Sequence, residues 1–387
     1  MENIYTLYSK DKPLIDFKKV DTLDKKYEVI KIYEENRNIL PYRLKDNIDI
    51  FDFWLDSRPI PTNREHIENV IEALMLSDRP DPFDYLKINN GVSLNDTYWI
   101  KNSNDEISWY DKDFSCVNLY ENGFKESLGI ITFFGNTSSL GGRINTPELT
   151  TQGMLGKAWR QLDDGIYLYK KGSSGAANAG NEPYSEVIAS QVADIIGIPH
   201  IKYELDRWQD ILCTKCKLFT DVDHGYLTMA EFLSTEVGTK DRWKYNDIKS
   251  LVSDEIMLGI DDMIVFDYII ENKDRHFNNF GFIRNNNTGE IEKLAPIFDN
   301  GFSLLNFHME YELKEFDFDS YSDLGTFYIK NRDQAKDVIK RNPKKYKKWA
   351  KELNNKIDTI NFYSVEKYRE KAIKDLLKSR CRVIQSI

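Results

Sequence analysis

Asn272-Lys273-Asp274-Arg275-His276-Phe277-Asn278-Asn279 closes an apolar stretch, residues 261 to 271, whose pattern reads as a helix. The octet puts a carboxylate, Asp274, five positions ahead of an amide, Asn279. An Asp at a helix exit can orient a hydroxyl and take its proton, and an Asn side-chain oxygen is a hard ligand for a divalent cation. Twenty residues beyond Asn279, Leu294-Ala295-Pro296-Ile297-Phe298-Asp299-Asn300-Gly301 sets a second carboxylate after an apolar strand and before a glycine turn. By itself Asp299 reads as a turn or capping residue; beside Asp274 and Asn279 it reads as a metal ligand. His276 lies inside the octet. With five histidines scattered along the chain and no Ser or Cys nucleophile in a recognisable setting, it reads as a support for the loop and not as a general base.

Upstream, Lys170 ends the strand-like Ile166-Tyr167-Leu168-Tyr169. A Lys there can reach the phosphates of a nucleotide if an acid on the next helix holds its ammonium, and Glu186 is that acid. Strand alternation lets only one of Lys170 and Lys171 face a nucleotide, and the spacing to the helix favours Lys170. Glu182, just before Pro183, is expected to precede the helix. Thr150-Thr151-Gln152-Gly153-Met154-Leu155-Gly156-Lys157 is a glycine-containing turn whose backbone N–H groups, about Thr151 and Gly153, can cover phosphates. Phosphorylation of Thr150 or Thr151 would add roughly −1.5 to −2 charge there and oppose the nucleotide. Thr228-Met229-Ala230-Glu231-Phe232 stands where strand-rich sequence gives way to helical sequence, and as a hinge Met229, Glu231 and Phe232 would meet an adenine edge. A base, two oxygen ligands, a phosphate-reaching cation and its counter-ion are the parts of phosphoryl transfer from ATP with Mg2+, and Asp-x-x-x-x-Asn is the spacing of a kinase catalytic loop.

The remaining pattern fits that chemistry. Strands are expected at Gly129 to Phe134, Ala158 to Leu162, Ile166 to Lys170, Ile211 to Phe219 and Gly225 to Glu231, with a helix from Tyr184 to Ile196 and Pro183 in its first turn. Beyond Phe232 the sequence turns helical, interrupted by a hairpin from Phe280 to Phe298 that turns at Asn285-Asn286-Asn287-Thr288-Gly289. Residues 1–125, with a helix expected at Arg64 to Met75, carry no recognisable chemistry and read as an accessory region. Residues 126–232 read as a small β-rich N-lobe and 233–387 as a helical C-lobe: an α+β, bilobal, protein-kinase-like fold.

At 387 residues the chain can bury its own cores without disulfides. A net charge of −10 argues against wrapping nucleic acid, and no helix-turn-helix, zinc-finger or RNA-binding aromatic signature appears. The Lys-rich run from Arg341 to Lys351, continuing sparsely to Arg382, reads as solvated helix faces. Of the four cysteines only Cys213 and Cys216 are close; they lack partners at zinc spacing and read as strand residues in a reducing compartment. No apolar run approaches the roughly 18 residues of a membrane span, and the expected location is the cytoplasm.

Asp274-Arg275-His276 followed by Asn279, with Ala295-Pro296 before Asp299, resembles the HipA-like serine/threonine kinases over residues 126 to 320. The Asp-Arg-His-x-x-Asn core is also similar to that of phosphoinositide kinases. Glu182-Pro183-Tyr184-Ser185-Glu186, leading into a helix that ends at Ile196-Gly197-Ile198, favours the HipA-like group. The resemblance implies Asp274 as base, Asn279 and Asp299 as Mg2+ ligands, and Lys170 paired with Glu186. It also implies a protein substrate, a companion antitoxin and a glycine loop that moves when its own Ser or Thr is phosphorylated. The Ser-rich form of that loop has no match at residues 150–157, and the N-terminal region also departs from the family. A lipid or small-molecule kinase of the same fold, and a nucleotide-binding scaffold without activity, are the alternatives.

Overall fold

A computed structural model describes residues 3–20, 22, 24–110, 116–176 and 178–387. The chain forms two compact units. The first takes residues 1–170, 218–227 and 282–293; the second takes 171–217, 228–281 and 294–387.

The first unit opens with an antiparallel sheet. Its strands Ile4–Ser9, Lys12–Lys19, Tyr27–Ile32 and Tyr98–Asn102 are ordered third, second, first, fourth. Alternating side chains put Leu7, Ile15 and Phe17 inward, where Phe17 meets Tyr27, Phe51 and Phe83 edge-on. A hairpin of Lys157–Leu162 and Gly165–Lys171 follows, with Lys157 opposite Lys170. The expected strand at Gly129 to Phe134 is a helix, Ser127–Phe134, ended by Gly135 in the left-handed region at φ 72°. A short apolar run interrupted only by Thr132 carries no period that separates strand from buried helix; here the glycine stop decides, its N–H donating to the Ile131 carbonyl. The helix expected at Arg64 to Met75 is shorter, Ile67–Ala73.

In the second unit, Glu182–Ile196 is a helix with Pro183 in its first turn and Gly197 as its left-handed cap. Glu182 therefore lies inside the helix and not before it, because a Pro at the second position fixes φ without removing an intrahelical donor. Tyr203–Trp208 and Ile211–Lys217 pair antiparallel, and Cys213 and Cys216, on opposite faces of the second of them, are both buried and in no disulfide. The strand expected at Gly225 to Glu231 stops at Thr228, whose side chain caps the helix Met229–Glu236. The central helix, Asp254–Ile270, starts at a Ser253 cap with Asp254 and Glu255 in its first turn, and its last ten residues include eight that are buried. It ends at Glu271 (φ 52°), which delivers the chain straight into the octet. The helices Asn331–Arg341, Pro343–Lys356 and Lys367–Ser386 complete the unit. Among the described residues no helix is long and apolar enough to cross a membrane.

Candidate active site

The octet folds on its own backbone. Asn272 Oδ1 accepts the Asp274 N–H at 2.9 Å, and the Asp274 carbonyl accepts both the His276 N–H (2.8 Å) and the Asn279 side-chain amide (3.0 Å). With its amide nitrogen so engaged, Asn279 presents its Oδ1 as the end suited to a cation. His276 is exposed, and its Nδ1 accepts the Asn278 N–H at 3.3 Å.

One side chain gathers the rest. The Arg275 guanidinium donates from Nε and Nη2 to Asp267 at 3.1 Å each, from Nη1 to the Asn279 carbonyl at 3.0 Å, and from Nη2 to Asn300 Oδ1 at 2.5 Å. Nη1 also donates to the Phe298 carbonyl. The Arg275 side chain is 0% exposed and that of Asp267 2%. Burial pushes the Asp267 carboxyl up while Arg275 pulls it down; burial also opposes the Arg275 charge, but Asp267 outweighs it and the guanidinium holds its proton. Asp299 sits at φ 55°, a left-handed conformation disfavoured by about 1–2 kcal/mol for a non-glycine residue. Its N–H donates to Tyr203 Oη at 3.1 Å, and the next N–H, that of Asn300, donates to Glu186 Oε2 at 2.8 Å. Burial, then the charges of Glu186 and others nearby, holds the Tyr203 hydroxyl protonated. Asp274, Asn279, Asp299, Glu186 and His276 thus share one unit; Arg275 joins the two loops through buried hydrogen bonds, and Glu186 ties the second loop to the helix Glu182–Ile196.

The helix start at Met229 is tied to this assembly through its backbone. Met229 N–H donates to the Phe280 carbonyl and Ala230 N–H to Phe277, both at 2.9 Å; Glu231 N–H donates to Thr228 Oγ1, and Glu231 Oε2 accepts the Thr228 N–H. All three N–H groups are engaged within the unit, and Met229 and Phe232 are buried. Glu182 is buried too, its carboxylate accepting the Ser173 N–H at 3.1 Å and the Ser173 hydroxyl at 2.5 Å.

Lys170 belongs to the first unit, where it is 8% exposed, while Lys171 is half-buried. Thr151 and Gly153 lie in the same unit, in a turn whose two ends are held by hydrogen bonds and whose tip, residues 152–154, is exposed. Arg64 donates to the Thr151 carbonyl, Glu65 accepts the Gly156 N–H at 2.9 Å, and Lys157 Nζ donates to the Gln152 carbonyl at 3.0 Å. The Thr150 and Thr151 hydroxyls are buried and donate to the Val92 and Pro147 carbonyls at 2.6 and 2.8 Å.

Two features escape a sequence reading. Arg275 acts through residues 4 to 25 positions away, most of them beyond any local pattern. The stretch Ser138-Ser139-Leu140-Gly141-Gly142 is exposed on both sides of a half-buried Leu140, and a Cβ at Gly142 (φ 76°) would meet nothing within 4 Å. Two adjacent glycines after two hydroxyls are the signal that marks it.

No protein-family model matches the chain. A Helicobacter pylori (strain J99) protein described as serine/threonine-protein kinase CtkA is 26% identical over 131 residues, 31% of this chain and 40% of that protein, so the chain spans two fifths of that relative's length. The crystal structure of the H. pylori proinflammatory kinase CtkA superposes with a TM-score of 0.50 at 18% identity, covering 62% of this chain and 94% of that one. HipA of Shewanella oneidensis MR-1, solved as a toxin–antitoxin complex with HipB and operator DNA, superposes over 99% of both chains with a TM-score of 0.56 at 10% identity. The chain has a HipA-like, protein-kinase-like fold. The HipA-like likeness takes in the N-terminal 125 residues as well, since it extends over nearly the whole chain.

Proposed function

We propose that the chain is a protein serine/threonine kinase of the HipA type that uses ATP and Mg2+. The observation that carries this reading is the buried linkage of Asp274 and Asn279 to the Asp299 loop through Arg275, with Glu186 docked on the Asn300 N–H. In this reading Asp274 accepts the proton of a Ser or Thr hydroxyl as that oxygen takes the γ-phosphoryl group and ADP leaves. Asn279 Oδ1 and the Asp299 carboxylate would hold Mg2+, which neutralises charge on the phosphates when bound. In the same reading Lys170 would contact the phosphates with Glu186 as its partner, and backbone groups near Met229 to Phe232 would meet the adenine edge. A companion antitoxin, a cytoplasmic location and lobe limits at 126–232 and 233–387 belong to the same reading. The antitoxin is suggested by the HipB that accompanies HipA in the Shewanella complex.

The test is incubation of the wild type and Asp274→Ala with labelled ATP and Mg2+, alone and with a lysate, the sites being located by mass spectrometry. Label on Ser or Thr that vanishes in Asp274→Ala, with the melting temperature kept, is the expected result. Asp299→Ala should also weaken Mg2+-dependent nucleotide binding. Full transfer by either variant would place the reaction elsewhere.

A further inference from the structure

Arg275 has no assigned part in phosphoryl transfer, yet its guanidinium donates hydrogen bonds to four residues, Asp267, Asn279, Phe298 and Asn300. A purely structural ion pair with Asp267 would use Nε and one Nη2 hydrogen. The remaining donors go to the Asn279 carbonyl, the Phe298 carbonyl and Asn300 Oδ1. These groups belong to one candidate Mg2+ ligand, Asn279, and to both chain neighbours of the other, Asp299. The planar guanidinium fork cannot shift toward one of them without losing another, so it fixes the separation of the two loops. It also braces a strained backbone, because Asp299 persists at φ 55° only while its surroundings over-determine it.

Resting on the kinase reading above, we propose that Arg275 is a positioning residue that holds the Asn279 and Asp299 loops in register and thereby sets how much Mg2+ the chain needs to bind its nucleotide. Asp267 supplies the charge that keeps Arg275 in place inside the unit. Outer groups that orient metal ligands change metal affinity or activity by about 10- to 100-fold when altered, so the effect is large enough to measure.

The experiment uses the full chain as wild type, Asn300→Ala, Arg275→Lys and Asp299→Ala. Binding of a non-hydrolysable ATP analogue is titrated with Mg2+, phosphate transfer is followed in parallel, and each protein is melted. Asn300→Ala removes one link and leaves the Arg275–Asp267 pair whole; Arg275→Lys keeps the charge but cannot span three sides. Both should raise the half-saturating Mg2+ concentration by about 10-fold or more and lower kcat, with KM for the acceptor protein unchanged. If Arg275→Lys fails to fold, Asn300→Ala decides alone. A half-saturation equal to that of the wild type, accompanied only by a lower melting temperature, overturns the proposal and leaves Arg275 a structural residue. That failure is distinct from failure of the kinase reading, in which the wild type itself would show no Mg2+-dependent nucleotide binding and Asp299→Ala would change nothing; the proposal falls with it.

Discussion

Glu148 shows how a single residue outside the octet can govern stability. It is 1% exposed, with Oε1 accepting the Trp159 N–H at 2.7 Å and Oε2 accepting the Thr132 hydroxyl at 3.4 Å. Burial pushes its carboxyl from 4.5 up to about 7, against the pull of the Trp159 N–H and the Arg64 charge. The folded chain therefore holds a proton there that the unfolded chain releases between about pH 4.5 and 7. Stability falls as pH rises through that window, by about 3 kcal/mol in all. Thermal melts of the wild type at pH 5 and pH 7.5 should show the drop, and Glu148→Gln should flatten it; an equal slope in both proteins would assign the dependence to another group. Nothing in the neighbouring Pro147 or Leu149 foretells this, since the shift comes from burial beneath Ser127–Phe134 and Lys157–Leu162. The candidate residues Asp274, Asn279 and Asp299 can be picked out by their spacing along the sequence, whereas Glu148 answers to packing alone.

At the scale of elements, period and stop signals carry most of the reading. The helix after Pro183, the hairpin turning at Asn285–Gly289 and the apolar helix feeding the octet are all visible, because each has both a repeat and a punctuating residue. The run Gly129 to Phe134 has punctuation but no repeat, and reads wrongly as a strand. The C-terminal basic residues fail in another way. Lys344, Lys348 and Lys351 do lie on the solvated face of Pro343–Lys356, but Arg369 and Arg380 are buried, at 3% and 0% exposure. Arg380 joins two helices end to side. Its guanidinium donates to Glu271 Oε2 at 2.5 Å, to the Tyr268 carbonyl at 3.2 Å, and to Phe318 and Tyr321 carbonyls at 2.8 and 2.9 Å. Glu271 in turn accepts the Asp323 N–H at 2.6 Å while holding its own left-handed φ. Breaking a buried pair from one side strands the other charge, so Arg380→Met should destabilise the chain by about 3–5 kcal/mol in urea unfolding. Arg380→Met with Glu271→Gln should recover part of that loss. Additive effects of the two substitutions would mean that the pair is not coupled.

For the whole molecule, the consequence of two units lies in how the chain is divided between them. It changes unit after residues 170, 217, 227, 281 and 293, so the first unit is not a continuous N-terminal piece. Its returning segments satisfy groups that residues 1–170 bury. Lys10, 8% exposed, donates to Asp223 at 3.0 Å and to Asn287 at 2.8 Å. Arg284 donates to Tyr98 Oη at 2.6 Å and to the Leu40 carbonyl at 2.8 Å, and Gly289, at φ 75°, lies so close to the Asn38 carbonyl that a Cβ would stand 1.8 Å from its oxygen. A fragment of residues 1–170 keeps the aromatic core around Phe17 but loses these partners of Lys10 and the Leu40 carbonyl, together with the packing of residues 218–227 and 282–293. Each hydrogen bond lost costs about 0.5–1.5 kcal/mol net, and about 1.5–3 kcal/mol where a charge takes part, on top of the lost packing and against a total stability of about 5–15 kcal/mol. The fragment should therefore show strand and helix signals in the far ultraviolet, bind a hydrophobic dye and lack a cooperative melt, while the full chain melts sharply. Arg284→Met in the full chain separates this from simple truncation: it should lower the melting temperature with all segments present. A fragment that melts cooperatively at the temperature of the full chain would show instead that residues 1–170 are a self-sufficient domain and that the returning hairpin only decorates it.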